Sequence, residues 1–190
     1  MIESLRTKME HAIETSHYKY GEARKTYPEL AQAHKCIIER LDYYENGRKT
    51  RDVAPHNKDY LVDVANFAML EAMFPAKVRV HPVSPDARSG WRGDFSTRFI
   101  ETVKDLDGVF AATFADSGKT KVEEIKFATA KYLDTGDATL LEYIAWLAAE
   151  EFFAPTFEDS FYDINVAGAN LSPGLADGIS YKQLMEGEWK

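Results

Sequence analysis

The 190-residue sequence contains one cysteine, Cys36, so no disulfide bond can form within the chain. It also lacks an apolar run long enough to cross a bilayer, and the residues that follow Met1 are mixed in polarity. Neither a GxSxG motif nor a glycine-rich phosphate-binding loop is present. These absences argue against a disulfide-stapled secreted domain, a membrane-spanning protein and the common loop-based hydrolases. We therefore expect a cytoplasmic protein.

Basic residues are missing from one long stretch of the chain. Residues 132–181 contain no lysine or arginine, and the whole chain has a net charge of −8 at pH 7. The stretch contains nine acidic residues: Asp134, Asp137, Glu142, Glu150, Glu151, Glu158, Asp159, Asp163 and Asp177. Because contacts to phosphate need lysine or arginine, we do not expect direct binding of nucleic acid by this part. If the acids share a face, they give the molecule a directed negative surface.

The most apolar stretch is NKDYLVDVANFAMLEAMFP, residues 57–75. Asn57 is a preferred residue for capping a helix start, and Pro75 cannot continue a helix. Apolar side chains fall on nearly every side of a helix with about 3.6 residues per turn, which is typical of an interior helix packed on several neighbours. The chain is therefore predicted to be organised around this helix.

Further helices are predicted from apolar residues at helical spacing and from capping residues. They cover residues 2–20, a segment from near Thr26 to before Gly47, residues 96–106, a segment from Thr120 to about residue 133, and residues 138–154. Two short segments are ambiguous, because residues 77–83 alternate like an edge strand and residues 109–114 fit either a strand or a helix.

The predicted fold class is mainly α, a single-domain bundle of about six helices with at most a minor β element. Within the single domain 1–190, a helical half at 1–75 and a helical half at 96–155 are joined by a linker at 76–95. A loop-rich acidic tail follows at 156–190.

An internal repeat of helical hairpins is one interpretation of the two most apolar helices. A shift of 80 residues aligns Leu61 with Leu141, Ala65 with Ala145, Ala68 with Ala148, Glu71 with Glu151 and Pro75 with Pro155. Helical hairpins also share leucine and alanine by chance, so both interpretations stay open. If the repeat is real, the two apolar helices are expected to pack as a central pair.

Acidic residues in the first two predicted helices suggest one enzymatic alternative. Glu10 and Glu14 lie four residues apart, and Glu39 and Asp42 lie three apart. The spacing resembles the EExxE…ExxD pattern of the MazG-like all-helical nucleotide pyrophosphohydrolases, although His11 stands in place of the second glutamate. The resemblance implies a nucleoside triphosphate pyrophosphohydrolase with Mg²⁺ held by these acids, and Asp63 is a further candidate ligand. The apolar stripe of the second helix points Glu39 away from the interior, which disfavours such a site.

The central helix carries a narrow polar stripe made of Asp59, Asp63 and Asn66. A metal site or a pocket shared with polar residues of the first helix is one interpretation. A solvent-facing seam or a buried hydrogen-bond network is favoured, because polar groups on such a helix are usually solvated or paired.

Aromatic and acidic residues are interleaved after residue 149, in EEFFAPTFEDSFYD. Aromatic residues are favoured as interface anchors, and acids steer a basic partner. The same pattern is also expected where aromatic side chains close a core and acids keep the surface soluble. The binding interpretation assigns the surface to Asp134, Asp137, Glu142, Glu150, Glu151, Phe153, Phe157, Glu158, Asp159, Phe161, Tyr162 and Asp163, with Trp146 if it is exposed.

The segment LVDVANFAMLE, in an acidic helical chain of this size, resembles small uncharacterised proteins of phages and mobile elements. The resemblance implies no activity, but many phage accessory proteins bind a host protein. We therefore predict an acidic protein-binding module without catalytic residues or a cofactor and without membrane association. The predicted partner is a protein with a basic, nucleic-acid-handling surface, which the module occludes. The Mg²⁺-dependent pyrophosphohydrolase is the alternative.

Overall fold

The computed structural model describes residues 2–20, 33–73, 75 and 94–155. These residues form seven α-helices: α1 Ile2–Tyr20, α2 Ala33–Asn46, α3 Asp59–Met73, α4 Asp94–Asp105, α5 Asp107–Ser117, α6 Lys121–Thr135 and α7 Thr139–Phe152. The α2–α3 connection contains a 3-10 turn, Lys49–Arg51, and an isolated bridge between Arg48 and Val53. The described residues contain no strand. The mainly α fold class is confirmed.

The ambiguous segment 109–114 lies inside α5, so its strand alternative is wrong. A short apolar run does not show by itself which period it follows, and here a helix is formed directly after α4. The other ambiguous segment, 77–83, and the predicted helix start near Thr26 lie outside the described residues. Within the described ranges, no helix combines the length and the apolar character that a membrane span requires.

Capping side chains fix two helix starts where the sequence indicates them. Thr120 Oγ1 accepts a hydrogen bond from the backbone N–H of Glu123 at 3.2 Å, and Glu123 Oε2 accepts one from the backbone N–H of Thr120 at 2.9 Å. This reciprocal pair is a capping box. At the start of α3, Asn57 Oδ1 accepts from the backbone N–H of Asp59 at 2.9 Å. Both predicted caps are confirmed.

The helices α3 and α7 form the centre of the unit Met1–Phe153, to which all seven helices belong. The helix α2 packs on α3, α6 packs on α7, and α1 and α4 contact both central helices. Ala65, Ala68, Ala145 and Ala148 are fully buried, and small side chains allow helices to approach closely. Each fully buried leucine in such a core contributes about 1.5–3 kcal/mol. The expected central pairing of the two apolar helices is observed.

Two tyrosine–glutamate hydrogen bonds cross between the hairpins α2–α3 and α6–α7. Tyr44, near the end of α2, donates to Glu151 Oε1 of α7 at 2.8 Å. Tyr132, near the end of α6, donates to Glu71 Oε1 of α3 at 3.1 Å. The end of α2 lies beside the chain that leads into α3, and α6 ends four residues before α7 begins. The two bonds therefore place the end of α7 near the start of α3 and the end of α3 near the start of α7, so these helices run antiparallel. Glu71 and Glu151 are the two glutamates that the 80-residue shift aligns, whereas their partners Tyr132 and Tyr44 are not aligned by it.

We expect Gly47→Ala to lower the free energy of unfolding by about 1–3 kcal/mol. Gly47 ends α2 with φ at +74°, and an added Cβ would lie 2.6 Å from the carbonyl oxygen of Val53. Gly108→Ala in α5 is the control, because no heavy atom lies within 4 Å of the added Cβ. It should be neutral or raise the free energy of unfolding by up to about 1 kcal/mol. Urea unfolding followed by circular dichroism measures both, and equal effects would contradict the strained turn.

Candidate functional site

The described acidic residues of the predicted binding surface lie at the two ends of α7. Asp134, Asp137 and Glu142 surround the turn between α6 and α7, and we call these three residues the turn patch. Glu150 lies in the last turn of α7. Residues 143–149, between these two ends, are all buried. The structure therefore divides the described part of the acidic surface and leaves no continuous strip along α7.

The aromatic anchors of this surface are only partly described. Phe157, Glu158, Asp159, Phe161, Tyr162 and Asp163 lie outside the described residues. Phe153 is 40 % exposed and contacts Phe152 edge to face, with 4.9 Å between the ring centroids. Trp146 is only 6 % exposed, so it is not one of the exposed anchors. Among the described aromatic residues assigned to this surface, Phe153 is therefore the one that an approaching partner can reach.

The turn patch carries negative charge that the described part of the molecule does not neutralise. Asp137 Oδ1 accepts a hydrogen bond from the backbone N–H of Thr139, the first residue of α7, at 3.0 Å. None of the salt bridges among the described residues involves Asp134, Asp137 or Glu142. Burial, together with the nearby charge of Asp137, raises the pKa of Glu142. A cation brought to this turn would therefore be stabilised.

Glu151 connects three helices of the bundle. Its Oε1 accepts the Tyr44 hydrogen bond at 2.8 Å, and its Oε2 lies 3.8 Å from Lys121 Nζ. Lys121 Nζ also donates to the backbone carbonyl of Glu150 at 3.3 Å. A substitution at Glu151 would therefore disturb the packing of α7 on α2 and α6 in addition to any surface effect.

Two buried glutamates were not identified from the sequence as site residues. Glu71 and Glu124 are only 1 % and 4 % exposed. Glu124 Oε1 lies 3.5 Å from the Tyr143 hydroxyl, and its Oε2 lies 3.2 Å from Lys119 Nζ. Burial and then the charge of Glu124 raise the pKa of Tyr143 to about 12. The position of Glu71 inside an apolar run was the only sequence signal that this glutamate is buried. Its tyrosine partner could not be predicted, because the two residues are far apart in the sequence.

The acids of the pyrophosphohydrolase alternative are engaged with separate neighbours. Glu39 accepts from the Tyr43 hydroxyl at 2.8 Å and from Arg40 Nη1 at 2.6 Å. The Tyr43 hydrogen bond, followed by the Arg40 charge, lowers the pKa of Glu39. Arg40 Nε also donates to Asp63 Oδ2 at 2.8 Å. Burial raises the pKa of Asp63, and the Arg40 contact opposes this shift.

The other acids of that set are likewise dispersed. Glu10 pairs with Arg6 at 2.9 Å, and Asp42 accepts from Asn46 Nδ2 at 2.9 Å. Glu14 is exposed on α1. Within the described ranges, no three His, Cys, Asp or Glu side chains come together as a group that could hold a metal ion. The structure therefore does not bring the five acids into one ligand set.

The polar stripe of α3 consists of three different environments. Asp59 is exposed, and half-buried Asp63 pairs with Arg40. Asn66 is 5 % exposed and donates from Nδ2 to the backbone carbonyl of Met9 on α1 at 3.2 Å. The stripe therefore combines a solvated position with two paired ones, in line with the favoured interpretation.

A cavity of about 340 Å³ lies where α1, α4, α5 and α7 meet, and we call it the α7 cavity. Its lining residues are Ile2, Val103, Lys104, Asp107, Trp146, Ala149 and Glu150. Trp146 Nε1 donates a hydrogen bond to Asp107 Oδ1 at 2.6 Å. Glu150 belongs to the predicted binding surface, whereas the sequence analysis singled out neither Asp107 nor Lys104. The chain thus places one predicted acid at a cavity with apolar, aromatic and charged walls.

No protein-family model, curated protein or solved structure matches this chain. The described residues form a helical bundle with separated acidic surfaces and a cavity lined by apolar, aromatic and charged side chains.

We expect no release of pyrophosphate when the protein is incubated with nucleoside triphosphates and Mg²⁺. Glu10, Glu39 and Asp63 already pair with arginines, so binding Mg²⁺ would require those pairs to be broken. A coupled pyrophosphate assay measures turnover for each nucleotide. Turnover that is lost in the double variant Glu14→Ala, Glu39→Ala would contradict this expectation and support the enzymatic alternative.

We expect Glu142→Gln to be more stable than the wild type at neutral pH, by less than about 1 kcal/mol. Folding raises the pKa of Glu142, so the folded state favours the protonated carboxyl and loses stability as pH rises through the folded-state pKa. The advantage of glutamine should therefore disappear below the ordinary value of 4.5, where Glu142 is protonated in both states.

Urea unfolding between about pH 3 and pH 7 measures this difference. Glu101→Gln, at an exposed position of α4, is the matched control and should change stability by less than about 0.5 kcal/mol. An advantage of Glu142→Gln that stays the same at low pH would show that charge is not its cause.

Proposed function

We propose that the protein is an acidic helical binding module that docks onto a basic surface of a partner protein. The observation that carries this proposal is a group of acids without salt bridges in a stretch of the chain that contains no basic residue. Among the described residues, the side chains of Asp134, Asp137, Glu142 and Glu150 take part in no salt bridge, and residues 132–181 supply no lysine or arginine. Six other described acids are paired: Glu10, Glu39, Glu45, Asp63, Glu124 and Glu151. Exposed acids such as Glu101, Asp105 and Asp116 are also outside these salt bridges, but they lie in the part of the chain that contains lysine and arginine.

Unpaired acids at a surface act mainly on the rate of association. Opposite charges on two proteins steer their encounter, and the effect weakens as salt shortens the screening length to about 8–10 Å at physiological ionic strength. The exposed Phe153 supplies a short-range apolar contact beside Glu150, which would slow dissociation. Capture of a basic partner should therefore depend strongly on salt.

The proposed partner is a protein that handles nucleic acid, since such proteins present clefts rich in lysine and arginine. An acidic module seated on such a cleft would exclude the nucleic acid by competing for the same cations. The resemblance of LVDVANFAMLE to proteins of phages and mobile elements supports an accessory role of this kind. The pyrophosphohydrolase alternative receives no comparable support from the positions of its acids.

The proposal predicts that charge reversal at the surface abolishes capture of basic proteins. We would replace Asp134, Glu142 and Glu150 with lysine and spare Glu151, because Glu151 holds α2 and α6. Immobilised protein would be incubated with host lysate at low salt and at about 0.5 M salt, where screening is nearly complete. The wild type should retain a basic protein at low salt only, and the triple variant should retain none.

The control has the same change in net charge at exposed acids of α4 and α5: Glu101→Lys, Asp105→Lys and Asp116→Lys. It should capture the same protein as the wild type. Displacement of nucleic acid from the purified partner would then test occlusion. The proposal fails if the surface triple variant still captures, or if both triple variants lose capture equally while their helical spectra are unchanged.

A further inference from the structure

We propose that the α7 cavity is the anchor site for an arginine side chain of the basic partner. This inference rests on the proposed function, because it names the group that the acidic module would recognise. The cavity has a volume of about 340 Å³ and is lined by Ile2, Val103 and Ala149 on its apolar side. Such walls suit the methylene stem of a long cationic side chain, which buries its carbons while its charged head makes polar contacts. The volume also lies within the range of about 300–1,000 Å³ that is usual for ligand pockets.

The charged walls of the cavity favour a cation. Asp107 and Glu150 each contribute a carboxylate, and Lys104 contributes one ammonium group, so the lining carries a net negative charge. Neither carboxylate takes part in a salt bridge among the described residues. One oxygen of Asp107 accepts the indole N–H of Trp146 at 2.6 Å, which leaves its second oxygen for a ligand. The cavity can therefore offer two carboxylates to one cationic head.

A guanidinium group fits two carboxylates better than an ammonium group does. It is planar and presents five N–H donors in a fixed fork, so it can bond to two carboxylates at once. An ammonium group is a compact and strongly hydrated charge, and more of its hydration would be lost inside a partly apolar cavity. We therefore assign arginine rather than lysine as the occupant.

The aromatic wall of the cavity is already fixed before any ligand arrives. Trp146 stacks on Tyr143 at 6.1 Å with an interplanar angle of 14°. Phe110 and Phe114 lie 6.2 Å and 6.4 Å from the same indole, measured between ring centroids. Together with the Asp107 hydrogen bond, these contacts hold the indole in one orientation. A preformed wall reduces the entropy that binding would otherwise lose.

The test uses a capped Gly-Arg-Gly peptide and its citrulline and lysine counterparts as probes. Citrulline keeps the shape of arginine and removes its charge. Fluorescence of Trp146 in a Trp91→Phe, Trp189→Phe background reports occupation of the cavity. We expect the citrulline peptide to bind at least about tenfold more weakly than the arginine peptide, and the lysine peptide to lie between them, since charge-assisted hydrogen bonds are the stronger class.

Substitutions in the cavity should change the affinity for the arginine peptide in opposite directions. Glu150→Gln and Asp107→Asn should each weaken binding by about tenfold, because each removes a charge-assisted hydrogen bond. Lys104→Met should strengthen it, because it removes a like charge from the lining. Asp116→Asn at the other end of α5 and Glu101→Gln on α4 are matched controls and should bind as the wild type does. A purely structural role of the cavity acids would not produce the gain at Lys104.

Several outcomes would overturn the inference. It fails if arginine and citrulline peptides bind equally, if Glu150→Gln binds like the wild type, or if Lys104→Met weakens binding. Because Asp107→Asn also alters the Trp146 hydrogen bond, a thermal melt accompanies each variant. If Asp107→Asn unfolds, Glu150→Gln decides the question, since the Glu150 carboxylate makes no hydrogen bond or salt bridge among the described residues.

Capture of basic proteins from lysate, measured on the same variants, separates this inference from the proposed function. Capture that is unchanged in Glu150→Gln and Asp107→Asn but lost in the surface triple variant rejects the cavity and keeps the proposed function. Binding of the arginine peptide in the cavity without any capture of a basic protein supports arginine recognition and rejects the proposed function. Failure of both assays rejects both.

Discussion

The antiparallel contact between α3 and α7 determines where the other helices can lie. Both helices are apolar on most sides, so each needs cover on further faces, and α2, α6, α1 and α4 supply it. Glu71 and Glu151 set the register of this contact, because each accepts a hydrogen bond from a tyrosine of the other hairpin. Sliding one helix by a turn would remove both hydrogen bonds. Each buried polar group left without a partner would lower the stability by about 1–3 kcal/mol.

This interior position of α7 also decides what the acidic surface can be. A helix whose middle is buried can present charged residues only at its ends, so the described acids separate into the turn patch and Glu150. The Glu150 end lies at a junction of four helices, where the packing leaves a cavity. A central helix thus produces two small, separate acidic regions in place of one extended acidic face.

Local signals predicted the helices well, because apolar spacing and caps act within a few residues. The capping box at Thr120 and the cap at Asn57 are both present, and among the described residues only the short segment 109–114 was left undecided. Long-range contacts could not be predicted from the sequence. Nothing near Glu71 in the sequence indicates its bond to Tyr132, and nothing near Asp107 indicates its bond to Trp146. The sequence showed that residues 132–163 are acidic. It did not show that the acidic surface is divided between the two ends of α7, since that depends on which face of α7 is covered.

In the two tyrosine–glutamate hydrogen bonds, each half of the bundle supplies a donor to the other half and an acceptor for it. Gly118, between α5 and α6, is exposed, has φ at +65°, and has no heavy atom within 4 Å of a Cβ built there. A chain interrupted at this point would consist of one fragment that carries α1 to α5 and one that carries α6 and α7. Each fragment would expose an apolar central helix, a tyrosine and a glutamate whose counterparts lie on the other. In this respect the molecule consists of two complementary fragments joined by the turn at Gly118.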